Sequence, residues 1–164
     1  MNERITIRKL KREEASKIGP LMLDLYKKWD DIDPIDEIDK SWFFSKGQEK
    51  YVQEILDDKN KLILVAVLDE SEIVGYVSAE IENRKPFLKK VGYIDEAYVK
   101  PGYRGEGIAS ELLTKIFEWF DEREITWITL ETNSFDEQAI SFWENQGFEE
   151  FNKFFKLKKG KRKI

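Results

Sequence analysis

The chain has 164 residues, 41% hydrophobic and 13% aromatic, enough apolar material for a sizeable core and the length of one domain. Cys and His are both absent, which excludes disulfides, thiolate nucleophiles, the commonest metal ligands and the usual general base; proton transfer is left to carboxylates, Tyr, Lys or Ser. The net charge is −5, but the last nine residues carry six positive charges, so residues 1–155 carry −11 and favour a cationic ligand over nucleic acid.

No signal peptide and no apolar run of membrane-spanning length appear, so the chain reads as soluble and cytoplasmic. In chain order, Ile5 to Leu10 alternates as a first strand, and Arg12 to Trp29 places apolar residues at 15, 18, 21, 22, 25 and 29. That spacing predicts an amphipathic helix, kinked at Pro20. Asp30 to Asp39 holds six acids in ten residues around Pro34 and reads as an exposed loop. A second helix is expected over Gly47 to Asp58. Leu62 to Leu68 is a strand, Asp69 to Glu72 a hairpin turn, and Ile73 to Ile81 the returning strand.

After a polar loop around Pro86, strand four covers Tyr93 to Val99, helix three Gly107 to Phe120, and strand five Trp127 to Thr132. Helix four is expected over Asp136 to Asn145, and Phe148 to Lys158 forms a final strand pair. Hairpins followed by a strand–loop–helix unit imply a mixed α/β sheet with helices on both faces.

The stretch from Val91 to Ala109 organises the rest, because an apolar strand passes through a glycine-rich turn straight into a helix. Glycines at 102, 105 and 107 permit positive φ and close backbone approach, and the first helical turn has amides without intrahelical partners. Such a turn can hold a pyrophosphate. It lacks the Gly-Lys-Ser/Thr of Walker A and the Gly-x-Gly-x-x-Gly of a dinucleotide fingerprint.

What it does match is Arg/Gln-x-x-Gly-x-Gly/Ala, in Arg104-Gly105-Glu106-Gly107-Ile108-Ala109 preceded by Val99-Lys100-Pro101. This resembles the acetyl-CoA pyrophosphate loop of the GNAT N-acetyltransferase superfamily. Ile73 to Val77 is similar to that family's third strand, Ile128 to Thr132 to its fifth, and Ala139 to Phe148 to its "A-x-x-x-Y-x-x-x-G-F" helix end. The resemblance spans about residues 60–157.

It implies a mostly antiparallel sheet of about seven strands, splayed between strands four and five, as one domain over residues 1–158 with a basic tail at 159–164. Acetyl-CoA would be the co-substrate. Ala97, Tyr98 and Val99 would line its pantetheine arm, with main-chain contacts from Ala97 and Val99. Arg104, Gly105, Glu106, Gly107, Ile108 and Ala109 would take the pyrophosphate, and Asn133, Asp136 and Phe142 would add further contacts. No metal is implied.

The reaction implied is direct attack of an acceptor amine on the thioester, needing positioning and a base but no covalent nucleophile. Asp95, at the position where relatives often carry Glu, is the favoured base, with Glu96 next and Glu131 third. Strand alternation would put Asp95 and Glu96 on opposite faces, so that one of them enters the cleft. Trp143 stands where many relatives carry a Tyr acid, which leaves the proton donor to the leaving thiolate open. Trp29, Asp31 and Asp33, in the acidic region that walls the acceptor side in this family, point to a small cationic amine such as a polyamine. A protein N-terminal or lysine acetyltransferase and a non-catalytic acyl-CoA-binding module are the alternatives; a homodimer is left open.

Overall fold

In a computed structural model the described residues are 4–30, 35 and 37–160. They fall into two units, Met1–Leu130 and Glu131–Ile164, each taken by itself below.

The first unit is built on a five-stranded sheet in the order β1 (Ile5–Lys9), β2 (Lys61–Leu68), β3 (Glu72–Asn83), β4 (Lys90–Val99) and β5 (Ile128–Leu130). Neighbours are antiparallel except β4 and β5, which run parallel. A tight turn with Asp69 and Glu70 both at positive φ (46° and 62°) joins β2 to β3, the conformation whose twist matches that of a hairpin.

Between β1 and β2 the chain makes a 3₁₀ segment (Arg12–Ile18), helix α1 (Gly19–Asp30), a short 3₁₀ turn (Trp42–Phe44) and helix α2 (Lys46–Asp57). The single kinked helix expected over 12–29 is thus two segments. Pro20 has no N–H and its ring would meet the Ser16 carbonyl in a continuous α-helix, so the wind changes from 3₁₀ to α just before it. Ser45 caps α2, its hydroxyl accepting from the Gln48 amide at 3.3 Å.

The main core lies between one face of the sheet and these helices. Ile63, Val65, Val67 and Tyr76 meet Ala15, Ile18, Leu21, Met22, Phe43 and Val52. Helix α3 (Ile108–Asp121) packs its buried Leu112, Leu113, Ile116 and Phe120 on β2, β3 and β4. Gly92 on β4 is required there, since a Cβ at that position would sit 2.7 Å from the Phe120 ring. At the edge of the core, Arg8 on β1 grips both oxygens of Glu14 at 2.8 Å.

The second unit holds helix α4 (Glu137–Asn145). Asp136 caps its start by accepting from the Ala139 amide at 3.1 Å. Its end is a Schellman turn: Gly147 takes φ 94° while the Phe148 amide reaches the Trp143 carbonyl at 3.1 Å. The Gly-Phe pair of the sequence is therefore a helix stop.

The expected sheet of about seven strands is corrected to five among the described residues, because the strand pair expected over Phe148 to Lys158 does not form. Its Phe151, Phe154 and Phe155 are 93%, 94% and 85% exposed. Within its own unit that segment has no strand ladder to join, and a lone hairpin in water is marginal. None of the described helices is long and apolar enough to cross a membrane.

Candidate active site

The site begins with an irregularity in β4. Pairing with β3 runs Ile81↔Gly92, Glu80↔Tyr93, Ala79↔Ile94 and then jumps to Ser78↔Glu96, so Asp95 is an extra, bulged residue. A bulge shifts the phase of everything after it. The Gly92 amide points outward to the Trp127 carbonyl (2.9 Å), whereas the Lys100 amide points inward to Val74 on β3 (2.8 Å). Counting back from Lys100, the main-chain groups of Ala97 and Val99 face away from β3. Beyond Ile94, β5 offers them no partner, because it pairs only with Gly92, Tyr93 and Ile94. The described pairing of β4 with β5 therefore ends at Ile94. One of the outward groups is engaged: the Val99 carbonyl accepts from Arg104 Nε at 2.7 Å, and the Arg104 guanidinium lies 5.4 Å from the Tyr98 ring centre.

The same bulge corrects the expected placement of the two carboxylates. Asp95 and Glu96 do not divide between the faces; both line one pocket, on the α1 and α2 side of the sheet. Its walls are apolar at Ile18, Met22, Val52 and Ile55, and polar where Tyr76 and Ser78 of β3 meet the carboxylates.

Glu96 is only 8% exposed, and each of its oxygens is held. The Tyr26 hydroxyl, from α1, donates to Oε1 at 2.6 Å, and the Tyr76 hydroxyl, from β3, donates to Oε2 at 2.6 Å. Burial pushes the Glu96 carboxyl above its ordinary range, the two hydroxyls hold it down, and Asp95 pushes it up again. Both tyrosines are raised by burial and by the Glu96 charge, so they stay protonated donors. Asp95 is the accessible carboxylate, raised first by desolvation and then by Glu80 and Glu82, with Lys61 opposing. Tyr51, on the pocket wall, is pushed up to about 12 by desolvation and then by Asp95, Glu96 and Glu80.

At the far end of β4 the chain turns through Gly102, Gly105 and Gly107, all at positive φ (93°, 79° and 81°). Gly107 is the N-cap of α3, with no side chain to satisfy the first-turn amides. A Cβ at any of the three would meet nothing within 4 Å, so the backbone opens onto free space. Bare amides at a helix N-terminus, open in front, suit a pyrophosphate, and the unpaired edge of β4 suits an amide-bearing arm. The residues present fit acetyl-CoA.

The other expected site residues stand as follows. Trp29 packs edge-on to Tyr26 at 6.0 Å, and its indole Nε1 is buried without a partner among the described residues. Asp31 and Asp33 lie outside the described residues. Glu131, Asn133, Asp136 and Phe142 belong to the second unit. There Glu131 is exposed, Asp136 caps α4 through one carboxylate oxygen, and Phe142 stacks edge-on to Trp143 at 5.0 Å. Among the described residues no group of acids is arranged to hold a metal ion.

Tyr51, Tyr76 and Ser78 of this pocket, and Tyr26, which holds Glu96 from α1, escaped the sequence reading as site residues. For Tyr76 and Ser78 a signal was present in the alternation of β3, which sets both on one face, opposite Tyr98 and Glu96.

Comparison with known proteins agrees with this geometry. The profile of the Acetyltransferase (GNAT) family matches residues 29–148. The uncharacterized N-acetyltransferase YhfO of Bacillus subtilis (strain 168) is 22% identical over 149 residues, covering 89% of this chain and 91% of YhfO. An uncharacterized N-acetyltransferase of Archaeoglobus fulgidus is 34% identical over 86 residues, 52% of this chain and 58% of its own length. In fold, the chain is similar to the aminoglycoside N-acetyltransferase AAC(6')-Iy, solved in complex with CoA, with a TM-score of 0.75, 16% identity and coverage of 98% and 97% of the two chains. With the family profile covering most of its length, the chain belongs to the acetyltransferase (GNAT) family and is an acetyl-CoA-dependent N-acetyltransferase.

Proposed function

We propose that this enzyme acetylates a primary amine of a small cationic acceptor such as a polyamine, by direct attack in a ternary complex. What supports the reading is that Asp95 and Glu96 open onto one pocket beside the free edge of β4. The acceptor nitrogen attacks the thioester carbon; the new C–N bond forms, the C–S bond breaks, and CoA leaves as thiolate. Asp95 is the base, because it is the accessible carboxylate and its environment raises it toward working pH. Asp95 takes one proton from the bound ammonium and so frees its lone pair; the second proton, shed as the C–N bond forms, passes through solvent to the thiolate.

Glu96, buried and held by two hydroxyls, supplies the negative charge that draws an ammonium in. The acetyl donor takes the glycine turn with its pyrophosphate and the outward groups of Ala97 and Val99 with its pantetheine arm. Tyr98 supports the β4 end, and Arg104, Gly105, Glu106, Gly107, Ile108 and Ala109 form the turn. Asn133, Asp136 and Phe142 are proposed as further contacts to CoA, and Glu131 as an acceptor contact. Trp29 and the acidic stretch with Asp31 and Asp33 attract the acceptor. Amine-rich acceptors also occur among proteins of this fold, as the aminoglycoside acetyltransferases attest.

The test is acetyl transfer at low and high salt to spermidine, a neutral amine and a basic peptide. The reading expects spermidine to have the highest kcat/KM, falling steeply with salt. Preference for the peptide would instead mark a protein acetyltransferase, and acetyl-CoA binding with no turnover of any amine a non-catalytic binding module.

A further inference from the structure

Three buried side-chain polar atoms have no hydrogen-bond partner among the described residues: Trp29 Nε1, Gln48 Oε1 and Ser78 Oγ. Only Ser78 lines the pocket. Its residue is 6% exposed, and it stands directly across from Glu96 at the β4 bulge. A buried hydroxyl left unpaired costs free energy, so a protein that keeps one at a polar pocket keeps it at the expense of stability.

The pocket's other acceptors define what the hydroxyl lacks. Both Glu96 oxygens already receive a tyrosine hydroxyl but retain a second lone pair, and Asp95 faces the same space. A primary ammonium carries three N–H donors and no acceptor. Beside Tyr51 the pocket is lined by Ile18, Met22, Val52 and Ile55, which suit methylene groups.

We propose that Ser78, Asp95 and Glu96 form the receptor for the reacting nitrogen, each accepting one N–H of a primary ammonium carried on an unbranched alkyl chain. This rests on the amine-acetyltransferase reading above and adds its specificity. Secondary and quaternary ammonium groups are rejected because they cannot fill all three acceptors, and Ser78 is the specificity-determining residue. In the reaction the proton held by Asp95 is the one removed, and Ser78 and Glu96 keep the nitrogen in place as its lone pair turns to the thioester.

The experiment compares the full-length enzyme with Ser78→Ala. Calorimetry measures 1,4-diaminobutane binding in the presence of CoA, thermal unfolding of the free proteins measures stability, and N,N,N-trimethylbutylammonium serves as the donor-free control. The proposal expects the variant to bind the diamine about tenfold more weakly, in line with the loss of one hydrogen bond to a charged group. The trimethyl compound should bind both proteins equally poorly. CoA affinity should be unchanged, and the free variant should be as stable as the parent or more so, because an unsatisfied hydroxyl has been removed. A variant that binds the diamine as the parent does would overturn the role of Ser78 while leaving the amine reading intact. A lower melting temperature for the free variant would overturn it too, by marking the hydroxyl as structural. If the parent itself binds no diamine, the amine reading fails first and this inference with it.

Discussion

The Tyr26 hydroxyl donates to Glu96 Oε1 at 2.6 Å, linking α1 to β4 across 70 residues of sequence. Tyr76 holds the other oxygen at the same distance, and Asp95 is the other charged group acting on the carboxylate. A hydrogen bond to the charged form lowers a carboxyl's pKa, so these hydroxyls keep a buried Glu96 ionised against its desolvation. Tyr26→Phe removes one donor and should raise Glu96. The ionised fraction then falls at the acidic end, so the low-pH limb of acceptor kcat/KM should move to higher pH while the value at pH 9 changes little. A folded variant whose pH profile overlays that of the parent would detach Glu96 from acceptor binding.

The glycine turn yields a prediction about the cofactor. Gly107→Glu puts a side chain and a negative charge into the open space before α3, at a residue with φ 81°. Calorimetry should find no measurable acetyl-CoA binding. A left-handed conformation costs a non-glycine residue roughly 1–2 kcal/mol, so the variant should fold with a modestly lower melting temperature. Unchanged CoA affinity would move the pyrophosphate away from this turn.

Away from the site, Glu14 is held down to about 2 by the Arg8 hydrogen bond, against its burial and with help from the Lys11 amide. Its folded value lies below the unfolded one, so its contribution is present above the ordinary carboxyl range and is lost as pH falls toward 2. That contribution is on the order of 1–3 kcal/mol. Glu14→Gln should lose that amount at pH 7, and its stability should fall less than the parent's between about pH 5 and pH 2. Chemical denaturation across that range measures both effects.

Much of the first unit was legible in the sequence for a physical reason: its elements announce themselves locally. Leu62 to Leu68 is a buried strand by composition, Asp69 to Glu72 a turn by charge, and Gly107 a helix start because only glycine takes that φ easily. The pocket was less legible. Its geometry depends on one inserted residue, Asp95, and a bulge is a property of the pairing between two strands, which neither strand's own pattern encodes. Regular alternation sent Asp95 and Glu96 to opposite faces, and the bulge returns both to one. Tyr26 was invisible in that role because its partner lies 70 residues away. The segment from Phe148 to Lys158 misled for the converse reason: aromatic residues alternating with charges look like a strand, but a strand exists only where another strand accepts its hydrogen bonds.

The central claim is that Asp95 takes the proton in amine acetylation while Glu96 holds the ammonium, and its most direct test is the steady-state kinetics of Asp95→Asn, Glu96→Gln and the double variant from pH 6 to pH 9. A positioned base contributes roughly 10²–10⁴-fold. The account predicts that Asp95→Asn lowers kcat by a factor in that range with the acetyl-CoA KM unchanged, and that Glu96→Gln acts chiefly on the acceptor KM. Wild-type kcat in all three variants across that pH range would contradict it.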